Sequence, residues 1–165
     1  MEPTYKNTKS FSKYLSEYAE QLIPNGTYDV KVVRVCDGDT VWGIFEVNGS
    51  FIRQKIRFRN IDTPELKSKD ETEKNKAFEQ KKFIEDLLMD KTVRVEVTGM
   101  CRYYRSLCSL YPDEFLWSKV EPNYKEKYAI VGGKDNMMEL NEYMLHTGRA
   151  KKMQYKKRSW IFSIF

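Results

Sequence analysis

Three acidic side chains stand at the ends of short strand-like runs: Asp39 in Cys36-Asp-Gly-Asp-Thr40, Asp62 in Ile61-Asp-Thr-Pro-Glu65, and Glu65 itself. Carboxylates at strand ends can bind a hard cation or carry a proton, and connecting loops are where sites are usually built. Asp37 and Asp39 are two apart, so on an extended strand they share a face, and Gly38 between them lets a second backbone or a ligand come close. Pro64 stiffens the turn that presents Glu65. Taken singly, Asp-Gly and Asp-Thr-Pro are also ordinary turn formers, so neither segment alone identifies a site.

Other chemistries lack their parts. The 3 Cys (Cys36, Cys101, Cys108) are odd in number and do not have the paired short spacing of a zinc site, and there is 1 His. A bound metal must therefore be a hard, oxygen-liganded cation. His146 falls where the last turn of a helix would end, a position that favours partial positive charge, and it receives no catalytic role. Met137 and Met138 read as core.

Cations are patterned as well as abundant. Arg53, Lys55, Arg57 and Arg59 alternate with Gln54, Ile56 and Phe58, which puts the four cations on one face of a strand at repeats of about 6.6 Å. A solvated face explains that pattern, and so does a counter-charge, either a phosphate backbone or the acidic cluster. A second basic stretch, Arg149 to Arg158 with Tyr155 inside it, reads either as a track for a nucleic-acid strand or as a solubilising end.

The elements that must position these groups follow from periodicity. Phe11, Leu15, Tyr18 and Leu22 form the stripe of a short amphipathic helix over 11–22, ended by Pro24, Asn25 and Gly26. Strands follow at Val30 to Val35, Thr40 to Val47 and Ser50 to Phe58, the last two joined by the hairpin signal Asn48-Gly49. A helix is expected over 72–89 with Ala77, Lys81, Ile84 and Leu88 on one face and Asp70 or Thr72 as N-cap. Thr92 to Val97 and Arg105 to Tyr111 read as strands. The stretch 112–135 reads as a long excursion with a strand at Tyr128 to Val131. Asn136 and Glu139 resemble a capping box for a helix through His146, with Gly148 as its C-terminal cap. Five short strands with helices at their edges suggest a small, partly closed β-barrel of OB type.

The chain has 165 residues, enough for one domain with a real core, of which 41% are hydrophobic, 14% aromatic and 32% charged. Disorder of the whole chain is excluded. Lys and Arg number 29 against 24 Asp and Glu, a net charge of +5 that favours polyanionic partners. No apolar run approaches the roughly 18 residues of a membrane span. Lys13, Glu17 and Glu20 interrupt the N-terminal stretch that would have to serve as a signal-peptide core, so an intracellular location is the default expectation.

These motifs, taken together and in order, resemble the staphylococcal nuclease (thermonuclease) family. The resemblance is carried by Cys36-Asp-Gly-Asp-Thr-Val41, Ile56-Arg-Phe-Arg-Asn-Ile-Asp-Thr-Pro-Glu65, Arg102 to Arg105, and Leu140-Asn-Glu-Tyr-Met-Leu-His-Thr-Gly148. The Asp-Gly-Asp-Thr and Asp-Thr-Pro-Glu motifs at this separation are specific as a pair. The resemblance runs from about Tyr28 to Tyr155 and implies an α+β, mainly β fold, a five-stranded OB barrel over 25–158 with about three helices; the insertion at 112–135 has no counterpart in the short family prototype, and the N-terminal helical extension over 1–24 and the apolar tail over 159–165 lie outside the match. It also implies a monomeric, Ca²⁺-dependent phosphodiesterase that acts on DNA or RNA and leaves 3′-phosphate ends. Mg²⁺ or Mn²⁺ in place of Ca²⁺ stays open.

Position by position, Asp39 and Asp62 match the family's metal-binding carboxylates, and the main-chain carbonyl of Thr63 would complete the protein ligands. Glu65 matches the carboxylate that orients or deprotonates the attacking water, while Arg57 and Arg105 match the two phosphate-binding arginines. Arg102, Tyr103 and Leu107 fall where the family binds its nucleotide. The family commonly reads Asp-Lys-Tyr-Gly-Arg where this chain has Cys101-Arg-Tyr-Tyr-Arg105. The competing expectation is an OB-fold module that binds nucleic acid without cleaving it. Against it stands the presence of Asp39, Arg57, Asp62, Glu65 and Arg105 together.

Overall fold

The computed structural model describes residues 23–154, so the helix expected over 11–22 and the tail from Tyr155 through Trp160 to Phe165 lie outside the described residues. Strand β1 runs Gly26–Asp37 and buries Val30, Val32 and Val35, with register shifts after Val32 and Val35 that bend it around the core. Strand β2 (Thr40–Val47) pairs antiparallel with β1 and with β3 (Ser50–Phe58). Asn48 and Gly49 join β2 to β3 at φ 51° and 79°, the two positive values that a tight hairpin of right-twisted strands requires.

Closure comes from a parallel contact. Strands β5 (Thr92–Met100) and β6 (Ser106–Tyr111) pair antiparallel, β5 pairs back onto β1, and β6 lies parallel to β3 through Ile56, Arg57 and Phe58. The result is a closed five-stranded barrel in the order β1-β2-β3-β6-β5, the OB-type barrel expected from the strand pattern. Gly43 allows the narrow interior: a Cβ there would stand 2.5 Å from Val30 and 2.9 Å from Ile56.

Helix α1 (Glu71–Leu88) packs across β1 and buries Ala77, Gln80, Phe83, Ile84, Leu87 and Leu88. Asp70 is its N-cap, accepting from the Thr72 N–H at 2.9 Å. Lys81, expected on the core face, instead sits at its edge, 3.8 Å from Glu85.

The stretch 112–135 departs from expectation. It contains helices α2 (Glu114–Ser118) and α3 (Tyr124–Val131) where a loop and a strand at Tyr128 to Val131 were expected. Tyr124 and Tyr128 are four apart and stack at 6.1 Å, a helical contact that the aromatic, β-rich composition of the segment conceals. Trp117 is fully buried 4.7 Å from the Tyr143 ring, and its indole N–H donates to the Met138 carbonyl, so a tertiary anchor holds these short helices. Asn136 belongs to the turn between β7 (Gly133–Lys134) and β8 (Met137–Met138), at φ 61°, and does not cap a helix. Helix α4 (Leu140–His146) starts after Glu139, which makes no side-chain cap bond, and ends at Gly148 with φ 73° as expected. Buried Asn141 ties α4 to the barrel, donating to the carbonyls of Arg59 and Cys108 and accepting from the Leu110 N–H.

Backbone strain is concentrated at one bulky residue. Of the six non-glycine residues with positive φ among the described residues, five are Asn or Asp, and the sixth is Tyr104 at φ 58°. Cys101 and Arg105 close the three-residue β5–β6 hairpin through two backbone bonds of 2.9 Å, Cys101 N–H to Arg105 O and Tyr104 N–H to Cys101 O. That geometry places Tyr104 in the left-handed region, where a side chain costs about 1–2 kcal/mol. The turn thus carries the strain of a left-handed tyrosine. Tyr104→Gly should stabilise the protein by about 0.5–1 kcal/mol, after subtracting glycine's larger unfolded-state entropy. Thermal unfolding checks it, and an unchanged or lower Tm contradicts it.

Candidate active site

Five chain segments meet at one open cleft of about 1000 Å³, bringing Asp37, Asp39, Arg57, Asp62, Thr63, Glu65 and Arg105 into its wall. Asp39 lies in the two-residue turn between β1 and β2, where its N–H donates to Asp37 Oδ1 at 3.2 Å. The two carboxylates therefore face each other across a turn and not along an extended strand. Gly38 is required there, because a Cβ would meet Gln80 Cγ at 2.5 Å and Thr63 Oγ1 at 3.1 Å.

Arg57, near the end of β3, is the hub. Its Nη1 lies 2.9 Å from Asp39 Oδ2 and 3.1 Å from the Phe58 carbonyl, and its Nη2 lies 2.8 Å from Asp62 Oδ1 and 2.9 Å from the Ile61 carbonyl. Three of its N–H donors on Nη1 and Nη2 make hydrogen bonds, to the Phe58 and Ile61 carbonyls and to Asp62 Oδ1, and Nη1 also forms the ion pair with Asp39. The cation on this strand is thus balanced by the acidic cluster. Thr63 supports the same arrangement, its hydroxyl donating to Asp39 Oδ2 at 3.0 Å.

Asp62 is positioned by a contact that sequence patterns do not reveal. Strand β4 (Ile61–Asp62) pairs with β9 (Lys151–Lys152), and the Met153 N–H donates to the Asn60 carbonyl. The start of the basic stretch is therefore part of the site's scaffold. Arg149 lies 4.0 Å over the Phe83 ring, and with Lys151 it lines the cleft. Asn141 and the Lys151–Lys152 pairing are supporting residues with no local signal, because both act across long separations in the chain.

Glu65 follows Pro64 on the loop after β4, and its carbonyl accepts from the Ser68 N–H. Its carboxylate is exposed at the cleft and makes no hydrogen bond or ion pair among the described residues. Arg105 reaches the cleft from the start of β6, with Nε 3.4 Å from Cys101 Sγ and its guanidinium 5.5 Å from the Tyr103 ring. Burial pushes the Cys101 thiol up, but hydrogen bonds from the Arg105 side chain and the main chain of Tyr103 and Arg105 outweigh it and hold the thiol below its usual range. Cys101 thus orients Arg105. Arg102, Tyr103 and Leu107 do not line the cleft. Arg102 and Tyr103 stack on each other at the exposed hairpin, and Leu107 lies beside Arg57 in the parallel β3–β6 pair. His146 is exposed outside the cleft, and burial pushes the Cys108 thiol to about 12, leaving it a neutral core side chain.

The sequence profile of the family described as "Staphylococcal nuclease homologue" matches residues 55–160. The chain belongs to the staphylococcal nuclease family. The matched range holds Arg57, Asp62, Thr63, Glu65 and Arg105; Asp39 precedes it, and the β2–β3 pairing of Thr40 with Arg57 brings it in. A Haemophilus influenzae protein named "Uncharacterized endonuclease" is 37% identical over 83 residues, a match that spans 49% of this chain and 40% of that protein.

The donor set of this family member suits a hard cation. Asp39 and Asp62 sit on neighbouring nitrogens of one guanidinium, so their carboxylates are close together, and the second Asp62 oxygen accepts no hydrogen bond among the described residues. No group of three or more His, Cys, Asp or Glu side chains converges as a metal cluster among the described residues, so main-chain oxygen and water would have to complete the shell. Burial, then the neighbouring Asp39 charge, raises the Asp37 pKa. Asp37 thus binds its proton more tightly folded than unfolded, and its negative charge opposes folding above the folded pKa. Asp37→Asn keeps the acceptor for the Asp39 N–H and should stabilise the metal-free protein at pH 7. That gain should shrink as pH falls through the folded pKa and vanish below the unfolded value. Urea unfolding at a series of pH values measures this, and a gain independent of pH refutes it.

Proposed function

We propose that this protein is a metal-dependent nuclease that hydrolyses phosphodiester bonds of DNA or RNA. The observation that carries the reading is the convergence on one cleft of two carboxylates bridged by Arg57, a second arginine at Arg105, and Glu65, whose carboxylate has no partner among the described residues. A purely binding surface has no use for an unpaired carboxylate beside its phosphate-binding cations, because the carboxylate repels the ligand.

Asp39, Asp62 and the carbonyl of Thr63 would hold the cation, and Ca²⁺ fits a set of hard oxygens in flexible geometry. When bound, it supplies positive charge that stabilises the phosphoryl oxygens as negative charge builds on them. Arg57 and Arg105 bind the non-bridging oxygens and offer fixed donors in the same cleft, stabilisation that grows in the transition state. Glu65 accepts a proton from the attacking water, whose oxygen forms a bond to phosphorus in line with the departing 5′ oxygen. The bond from phosphorus to that oxygen breaks, the oxygen takes up a proton, and the products are a 3′-phosphate and a 5′-hydroxyl.

Incubation with single-stranded DNA, duplex DNA and RNA, with Ca²⁺ or with excess chelator, tests the reading. Cleavage that needs the added metal and leaves 3′-phosphate ends is expected. Undiminished cleavage in chelator refutes the metal dependence, and retention of oligonucleotide without cleavage under any metal identifies a binding module.

A further inference from the structure

The alternating cations over 53–59, on β3 and just past its end, separate into two groups in the structure. Arg57 is taken up by Asp39 and Asp62, and Arg59 donates to Ser109 Oγ at 2.6 Å. Arg53 and Lys55 have no carboxylate partner among the described residues; both lie over the indole of Trp42, at 4.9 and 5.6 Å from its centroid. Two cations held against one aromatic ring with no carboxylate beside them repel each other, and the attraction of the ring is worth only about 0.5–1 kcal/mol for each at an exposed site.

The strand register extends this arrangement. Arg34, Trp42 and Lys55 are partners across β1, β2 and β3, and Lys31, Ile44 and Arg53 form the next row, two residues away. Each row therefore has an apolar side chain between two cationic ones. Lys31 is drawn to the Asp90 carbonyl, while Arg34 and Arg53 are exposed and Lys55 is half-buried. The first acidic side chain on β2 in this direction is Glu46, one row further on, opposite Phe51. Because Arg53, Lys55 and Arg57 point to the same side of β3, the rows begin about 6.6 Å from the catalytic cleft and continue to about 13 Å.

We infer that the outer face of β1, β2 and β3 is a binding track for single-stranded nucleic acid. On it, Arg34, Arg53 and Lys55 take backbone phosphates beyond the scissile one, over an apolar floor of Trp42 and Ile44. The inference rests on the nuclease reading for its direction of approach, since it extends the same substrate away from Arg57. The chemistry is complementary: a backbone supplies the missing counter-charge, and bases available only in a single strand cover the apolar strip.

Fluorescein-labelled dT12 titrated in excess chelator, by anisotropy at several salt concentrations, tests the track apart from catalysis. The double change Arg53→Gln with Lys55→Gln should weaken binding roughly tenfold and reduce the log-log salt slope by about 1.4, two contacts at about 0.7 each. Trp42→Leu keeps the charges and should weaken binding roughly fivefold or more while leaving most of the slope. Circular dichroism verifies folding, and Lys55→Gln alone, expected to lower the slope by about 0.7, serves if the double variant is unfolded. Equal affinity and slope for wild type and the charge variants overturn the track. Cleavage of the same oligonucleotide by wild type with Ca²⁺ separates the two readings: cleavage with unchanged variant binding removes the track alone. Variant-sensitive binding without cleavage keeps the track and removes the nuclease.

Discussion

Glu65→Gln should lower kcat by roughly 10² to 10⁴ while oligonucleotide and Ca²⁺ affinities stay close to those of the wild type. The side chain is exposed at the cleft and holds nothing else in place among the described residues, so the amide removes a proton acceptor without loosening the site. Its effect belongs in turnover and not in binding, because the water needs a base only as its bond to phosphorus forms. Single-turnover cleavage together with equilibrium binding separates these quantities. Unchanged turnover removes Glu65 from the mechanism, and a loss confined to binding turns it into a substrate contact.

Arg57→Gln has the second large expected effect, and it acts on stability as well as on rate. The guanidinium is buried between Asp39 and Asp62, whose side chains are 12% and 53% exposed. Its loss should cost about 2–4 kcal/mol in the metal-free protein, less than the roughly 3–5 of a fully buried pair because water reaches Asp62. Turnover should fall by roughly 10² to 10³ with the loss of a fixed phosphate donor. Added Ca²⁺ should then raise the Tm of this variant more than that of wild type, since the two carboxylates have lost their protein cation. Equal shifts in Tm indicate that Asp39 and Asp62 do not form the cation site.

A consequence of the Arg57 geometry is that substrate and carboxylates compete for one guanidinium. Both of its terminal nitrogens already serve Asp39, Asp62 and two carbonyls, so a phosphate competes with the carboxylates for the same cation. Weakening the carboxylate hold therefore makes the arginine more available, which links cation binding to phosphate binding through a side chain of the protein. Arg105 has no carboxylate competitor among the described residues; its Nε–H donates to Cys101 Sγ, which leaves the terminal nitrogens for the cleft.

Much of this protein was legible before folding was considered. Strand alternation, the Asn48-Gly49 turn and the α1 stripe act over a few residues, so local patterns identify them, and the barrel they build is the observed one. The residues that line the cleft could be named in the sequence only as a set: each acidic segment alone is also an ordinary turn former, and it is their occurrence together with Arg57 and Arg105 that singles them out. The segment 112–135 was not legible as helix, because its helices are short and are held by Trp117, Tyr124 and Tyr143 packing together. Composition cannot report a contact between residues that far apart.

Tertiary structure alone decided which cation serves which partner. Four cations at even spacing over 53–59 are equivalent in the sequence, yet closure of β3 onto β6 and the β1–β2 turn surrounds Arg57 with acid, gives Arg59, just past β3, to Ser109, and leaves Arg53 and Lys55 on Trp42. The β4–β9 pairing, which joins residues 61–62 to 151–152, likewise turned two lysines of a basic stretch into the support for Asp62. Side-chain chemistry and strand period are properties of neighbours along the chain. Electrostatic partnership depends on distances of a few ångströms between segments far apart in it, and only the closed barrel sets those distances.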